Sequence, residues 1–251
     1  MLFHAIHSPE SNLHSTQLHW KLKGQLELEG FVQAWENVIQ RHQIFRTAFK
    51  WEDLDEAVQI VHKDVKLPYE FIDVRGLVNP VEEFEKLKTK DELTPFNLAK
   101  PCTMRVTVVR TEDDIFDIIW NVHHILIDGW CTPKVIGEVL KRYLMAQNGF
   151  EFPEPQTPSF ESYIRYLRTQ NREKMKAFWC EHLQGFSEAN VLSIAKPTEL
   201  HKDIDQKEFR LRISFEKTAY FNKFAKAHKI PLNAVAQLAW AKVLSVYSGK
   251  Q

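Results

Sequence analysis

Between Phe31 and His42 the apolar residues Phe31, Ala34, Trp35, Val38 and Ile39 recur at intervals of three and four, the stripe of an amphipathic helix, with Gly30 marking its approach. Three short stretches rich in β-branched and aromatic residues follow, at 45–51, 57–62 and 69–74, and each reads as a strand. Val81, Phe84 and Leu87 restore helical spacing until Thr94-Pro95 breaks it. The segments 104–110 and 115–122 then read as two strands joined by the acidic turn Glu112-Asp113-Asp114, a hairpin. Beyond Thr132-Pro133, a cap and first-turn pair, Val135, Ile136, Val139, Leu140, Tyr143 and Leu144 define a strong helix that Gly149 closes.

The second half of the chain is punctuated differently. Pro153, Pro155 and Pro158 form a connector, followed by helical patterns over 160–170 and 173–183. From Ser187 to Gln206 the sequence is polar and aperiodic, as expected of a linker or domain crossing. Phe209, Leu211, Ile213 and Phe215 alternate like a strand with one buried face. Residues 232–247, bounded by Pro231 and Gly249, are apolar almost all round, which predicts a helix buried in the core of something larger. The expected division is a lobe over 1–186, a crossing over 187–206, and the start of a second, incomplete lobe over 207–251. Strands alternating with helices make the class α/β or α+β, a mixed sheet flanked by helices.

Composition narrows the function classes. Across 251 residues, 33 Lys+Arg balance 33 Asp+Glu and 44% of positions are hydrophobic, so the chain has the makeup of an ordinary globular protein. No basic stripe offers a nucleic-acid surface, and no apolar run approaches the ~20 residues that span a bilayer. Met1-Leu2-Phe3-His4 lacks the basic start and apolar core of a signal peptide, so a cytoplasmic protein is expected. Cys102, Cys131 and Cys180 are odd in number and widely spaced, which argues against a disulfide framework or a structural zinc.

The chemistry concentrates in Val122-His123-His124-Ile125-Leu126-Ile127-Asp128-Gly129-Trp130, where an apolar strand gives way to a turn and a helix. Strand alternation sends His123 and His124 to opposite faces, which disfavours joint ligation of one metal; no metal site is expected. One ring is expected at a cleft and the other in the packing. Asp128 either orients an active histidine or sits in a structural ion pair. Gly129 permits a bend, and Trp130 is either a tunnel-lining aromatic or ordinary core, with core as the default. A nucleophilic pairing of Cys131 with either histidine rests on sequence proximity alone. His42 reads as a packing or capping group.

HHILIDGW resembles the HHxxxDG motif of condensation domains in nonribosomal peptide synthetases. Arg41 to Phe49 is similar to that family's RHxxLRTxF segment, with Phe45 in place of Leu. Met1-Leu2-Phe3-His4 resembles the end of its first motif, and Thr94-Pro95-Phe96-Asn97-Leu98 with Pro101 and Arg105 its PFDL segment, Asn97 replacing Asp. Residues 160–166, 177–186 and 231–249 resemble later segments, in family order. The resemblance implies a chloramphenicol acetyltransferase-like lobe, truncated on its C-terminal side and therefore potentially inactive alone. It also implies amide formation between aminoacyl or peptidyl thioesters on donor and acceptor carrier proteins, next to adenylation and carrier domains. No cofactor would bind directly; the phosphopantetheine arms of the carriers would enter from two faces.

On the same resemblance His124 is the residue at the reaction centre, acting as base or by hydrogen bonding to the developing charge, and His123 supports it. Asp128 pairs with Arg46, and Gly129 serves as a turn residue whose backbone approaches substrate. The first-motif and HHILIDGW residues look more like domains whose donor ends in a D-residue. Two other readings stay open: a noncatalytic carrier-docking module, and a related acyltransferase using a diffusible acyl thioester.

Overall fold

The computed structural model describes residues 1–7, 12, 14–154, 159–186 and 211–249. The chain divides into two compact units, Met1–Gln170 and Asn171–Gln251. In the first, a four-stranded mixed sheet has the order β1-β6-β5-β4, built from β1 (Ser15–Lys23), β4 (Tyr69–Asp73), β5 (Met104–Glu112) and β6 (Ile115–His123). β6 is central and antiparallel to both neighbours, whereas β4 runs parallel to β5. A separate two-stranded sheet joins β2 (Thr47–Lys50) to β3 (Val58–Val61).

Alternation along the sheet decides what each face carries. Met104, Val106 and Val108 of β5, with Phe116, Ile118, Trp120 and Val122 of β6, are buried in one large cluster with Phe31, Trp35 and Val38 of α2 (Leu28–Arg41) and Val135, Val139 and Tyr143 of α4 (Thr132–Gln147). The Trp35 and Trp120 rings lie 5.2 Å apart at its centre. Val109 and Ile119, on the other parity, meet Phe84 of α3 (Pro80–Leu93) and Val74 in a smaller cluster. Apolar residues on both faces of β6 explain why it reads as a nearly continuous apolar run.

Helix boundaries follow local chemistry. Glu27 caps α2 by accepting from the amides of Glu29 (3.0 Å) and Gly30 (2.6 Å), so Gly30 lies inside the first turn rather than ahead of it. A Cβ at Gly30 would meet the Glu27 carboxylate, so a larger residue there would displace the cap. A 3-10 turn over Gln43–Arg46 delays β2 by two residues relative to the predicted strand. Asn148 ends α4, and Gly149 at φ +73° turns the chain. The short α1 (Leu2–His7) precedes β1, and α5 (Phe160–Thr169) ends the first unit.

The second unit contains α6 (Arg172–His182), α7 (Phe215–Ala227) and α8 (Leu232–Ser248). The strand expected around Leu211 and Ile213 is not formed: residues 211–214 lack regular structure, and Phe215 opens α7. The Ser214 side chain accepts from the Lys217 amide and starts a helix where the alternation suggested a strand. Phe209 and the expected crossing over 187–206 lie outside the described residues. α8 forms between Pro231 and Gly249 as expected, but no residue of it is buried. Among the described residues no helix is long and apolar enough to cross a membrane.

Candidate active site

The HHILIDG segment leaves the end of the central strand. β6 ends at His123, opposite Ser15 of β1, and the ladder continues one step further where the His124 amide donates to the His14 carbonyl (2.7 Å). A chain held on a sheet up to this segment is a rigid platform, and the side chains beyond the strand end are free to leave the sheet plane. The two histidines receive opposite environments. His123 is buried, its Nδ1 accepting from the Ile125 amide (3.0 Å), its ring edge-on to Phe96 and His14. Burial, and then the neighbouring rings of His14 and His124, push its pKa down to about 4.

His124 is half-buried and its tautomer follows from its contacts. Nδ1 lies 3.1 Å from the Ile127 carbonyl, which can only accept, so Nδ1 carries a proton. In its neutral form the ring then presents Nε2 as acceptor, and the Thr16 hydroxyl, 2.7 Å away, is placed to donate to it. His14 stacks on His4 with a 2.8 Å contact between His4 Nδ1 and His14 Nε2. Burial, with His4 and His124 nearby, holds the His14 imidazole below its ordinary range.

Two expected site features are not met, the Asp128–Arg46 ion pair and a core position for Trp130. Asp128 is exposed and, among the described residues, pairs with no arginine: its Oδ1 accepts from the amides of Trp130 (3.0 Å) and Cys131 (3.0 Å), an Asx turn that leads into α4. The hydrogen bonds from Cys131 and Trp130 hold its carboxyl below the usual range. Arg46 instead donates to the carbonyls of Ile39 (3.3 Å), His62 and Lys63 (3.3 Å), tying α2 to the end of β3. Trp130 belongs to no core; it is 83% exposed at the outer edge of the turn. Gly129 lies in the turn, as expected, but without positive φ and with open space where a Cβ would stand, so the turn does not demand glycine on conformational grounds. Burial, and then the Asp128 carboxylate, raise the Cys131 thiol, the opposite of what a nucleophilic thiolate needs. The His42 ring donates to the Glu138 carboxylate (2.9 Å) and packs on Phe45, a structural role.

Several site-bordering residues escaped the pattern reading. β1 went unread although Leu18, Trp20 and Leu22 alternate with Gln17, His19, Lys21 and Lys23, a plain period of two. Thr16 and His14 come with it. Asp117 is wholly buried in mid-β6 and is met by His19 (2.6 Å), Lys21 (2.9 Å) and Thr111 (2.8 Å). Burial pushes its carboxyl up, but those three donors outweigh it and leave the group below its ordinary value. Asn97 uses its Oδ1 to accept from the Ala99 amide (2.9 Å), a task Asp performs equally, while Arg105 pairs with Asp91 and lies 4.3 Å from the Phe96 ring centre. Among the described residues no three His, Cys, Asp or Glu side chains are grouped to hold a metal ion.

A half-exposed histidine stands at the end of a central strand inside an HHxxxDG segment, and the family model for the condensation domain matches residues 1–251. The chain belongs to the condensation-domain family. This condensation-family chain is 35% identical over 253 residues to one of the linear gramicidin synthase polypeptides of Brevibacillus parabrevis, with 100% of the chain and 5% of that protein covered. It is 30% identical over 256 residues to bacitracin synthase 3 of Bacillus licheniformis, covering 100% of the chain and 4% of the relative. It thus spans about one-twentieth of the length of these relatives. Among solved structures, the first condensation domain of the CDA synthetase superposes with a TM-score of 0.75 at 16% identity, over 100% of this chain and 60% of that one. The starter condensation domain of rhizomide synthetase gives 0.69 at 20% identity over 76% and 47%. These neighbours share the expected chloramphenicol acetyltransferase-like fold of mixed sheet and flanking helices.

Proposed function

We propose that this condensation-family chain contributes to forming an amide bond between two acyl groups carried as thioesters on separate carrier proteins, within a larger synthetase. The observation that carries the reading is the hydrogen bonding of His124: Nδ1 lies on the Ile127 carbonyl, which leaves Nε2, with the Thr16 hydroxyl 2.7 Å away, as the basic atom of the ring in its neutral form. An acceptor amine attacking a donor thioester must shed a proton as the carbon–nitrogen bond forms, and a neutral imidazole acceptor at that point is suited to take it near neutral pH. A thiolate leaves readily, so bringing the two thioesters together contributes much of the rate, and a platform fixed by β1, β5 and β6 suits that task. The buried, depressed His123 stays neutral and serves as a wall that orients the following residue, not as a second base. Donor and acceptor carrier proteins bearing phosphopantetheine thioesters are the partners this reading requires, and the names of the synthase relatives agree with it.

The test is His124→Ala in the complete synthetase polypeptide, supplied with purified carrier thioesters ending in D- or L-residues. Amide product should fall by at least about 100-fold while thermal stability is kept, because His124 is half-exposed and its ring supports no core cluster. Undiminished product would dismiss the reading. Binding of carriers without any amide product in the parent would instead favour a docking module.

A further inference from the structure

Both ring nitrogens of His124 are already engaged before any substrate arrives. Nδ1–H donates to the Ile127 carbonyl at 3.1 Å, and the single in-plane lone pair of Nε2 receives the Thr16 hydroxyl at 2.7 Å. An imidazole nitrogen has one lone pair, so a proton from an attacking amine has no direct seat on this ring while Thr16 holds its place. From this geometry we infer that the Thr16 hydroxyl is the group the acceptor amine meets, and that it relays the amine's proton to His124 Nε2. The inference rests on the amide-forming reading given above and adds to it a residue on a different strand.

The step balances. As the amine nitrogen bonds to the thioester carbonyl carbon, an N–H proton passes to Thr16 Oγ while the proton of Oγ passes to Nε2. Collapse of the adduct breaks the carbon–sulfur bond, and the departing thiolate takes a proton back along the same path. Amide, free thiol, threonine hydroxyl and neutral imidazole remain. A hydroxyl suits this position because it donates to the neutral ring and accepts from the protonated one, so the Thr16–His124 contact persists through both states. The Nδ1–H bond to Ile127 is unaffected in either.

A purely structural role for the hydroxyl does not fit its surroundings. β1 is held to β6 by the full ladder from Ser15 opposite His123 to Lys23 opposite Ile115, and the His124 amide is separately anchored on the His14 carbonyl. Thr16 faces Val122 across that ladder, and valine is as good a strand former as threonine. Thr16→Val is thus near-isosteric and leaves the fold in place while removing only the hydroxyl.

The experiment measures single-turnover amide formation by the complete synthetase polypeptide with donor and acceptor loaded on their carriers, comparing the parent with Thr16→Val, Thr16→Ser and His124→Ala. Thr16→Val should lower the rate about 100-fold with the acceptor KM unchanged, and Thr16→Ser should return it to within a few-fold of the parent. A Thr16→Val rate equal to or above the parent's overturns the relay, since the hydroxyl would then be an obstacle or a bystander. Equal losses in Thr16→Val and Thr16→Ser at unchanged melting temperature also overturn it, because the methyl group would be what matters. If the parent makes no amide, or His124→Ala matches it, the underlying functional reading falls instead, a result distinct from failure of the relay alone.

Discussion

At the scale of single residues, adjacent histidines in one motif are given different surroundings by one step of strand geometry. His123 is 6% exposed, and its pKa of about 4 lies below the ~6.5 of an unfolded imidazole. The folded state therefore binds fewer protons than the unfolded state between those two values, and stability rises with pH across that window. Stability is at its full value above about pH 6.5 and is lost as the pH falls towards 4, by on the order of 3 kcal/mol. Thermal melts of the parent at pH 7 and pH 4.5 should differ by more than those of His123→Gln, which lacks the titrating group; parallel shifts in the two proteins would count against the burial of this ring. The difference in burial between the two rings was legible in the motif because alternation is a property of the backbone. Asp128 was not legible in the same way. Whether a carboxylate after a strand finds a distant guanidinium or its own turn amides depends on where Arg46 is directed, and Arg46 is satisfied by carbonyls of Ile39, His62 and Lys63. Trp130 and Gly129 carry the same lesson, since exposure and φ are set by the turn as a whole.

At the scale of elements, α2 and α4 are locked together by more than their apolar stripes. Glu138 accepts from Arg41 Nη1 (2.8 Å), Arg142 Nε (2.9 Å) and the ring of His42 (2.9 Å), and Arg142 reaches on to both oxygens of Glu154 (2.6 and 2.9 Å) while covering Phe152. Burial alone would raise the Glu138 carboxyl, but the donors His42, Arg41 and Arg142 more than reverse this. Removing one partner of such a buried set leaves like charges facing each other, a loss of about 3 kcal/mol. Glu138→Ala should therefore lower the denaturation midpoint strongly and Glu138→Gln, which keeps an acceptor, by clearly less; equal, small effects in urea titrations would show the network to be ornamental. From sequence, Glu138 and Arg142 look like an ordinary surface pair four residues apart, because helical spacing says nothing of Arg41 and His42 arriving from α2. The helices themselves were readable from periodicity. β1 was equally readable in Leu18, Trp20 and Leu22, and a strand was expected through Leu211, Ile213 and Phe215 because they alternate where Ser214 in fact caps the start of α7.

At the scale of the whole molecule, burial is distributed unevenly between the two units. Every buried apolar residue among the described ones belongs to the first unit except Ala225, whereas Phe178, Trp179, Phe215, Leu238 and Trp240 of the second are exposed. Hydrophobic burial drives cooperative folding, so the first unit has the means to fold by itself, whereas the described residues of the second bury almost no apolar side chain that could order its helices. The site follows the same division: Thr16, His123, His124 and the strands that hold them all lie within Met1–Gln170. A polypeptide of residues 1–170 should unfold in one cooperative transition and keep the near-ultraviolet circular dichroism of the Trp35–Trp120 pair, whereas residues 171–251 alone should melt without a transition and bind the dye ANS. A cooperative melt of 171–251 without dye binding would mean that the exposed aromatic residues of α6 to α8 find one another once separated from the first unit. Loss of the tryptophan signal from 1–170 would mean that the sheet platform needs the second unit, and that presentation of His124 is a property of both together.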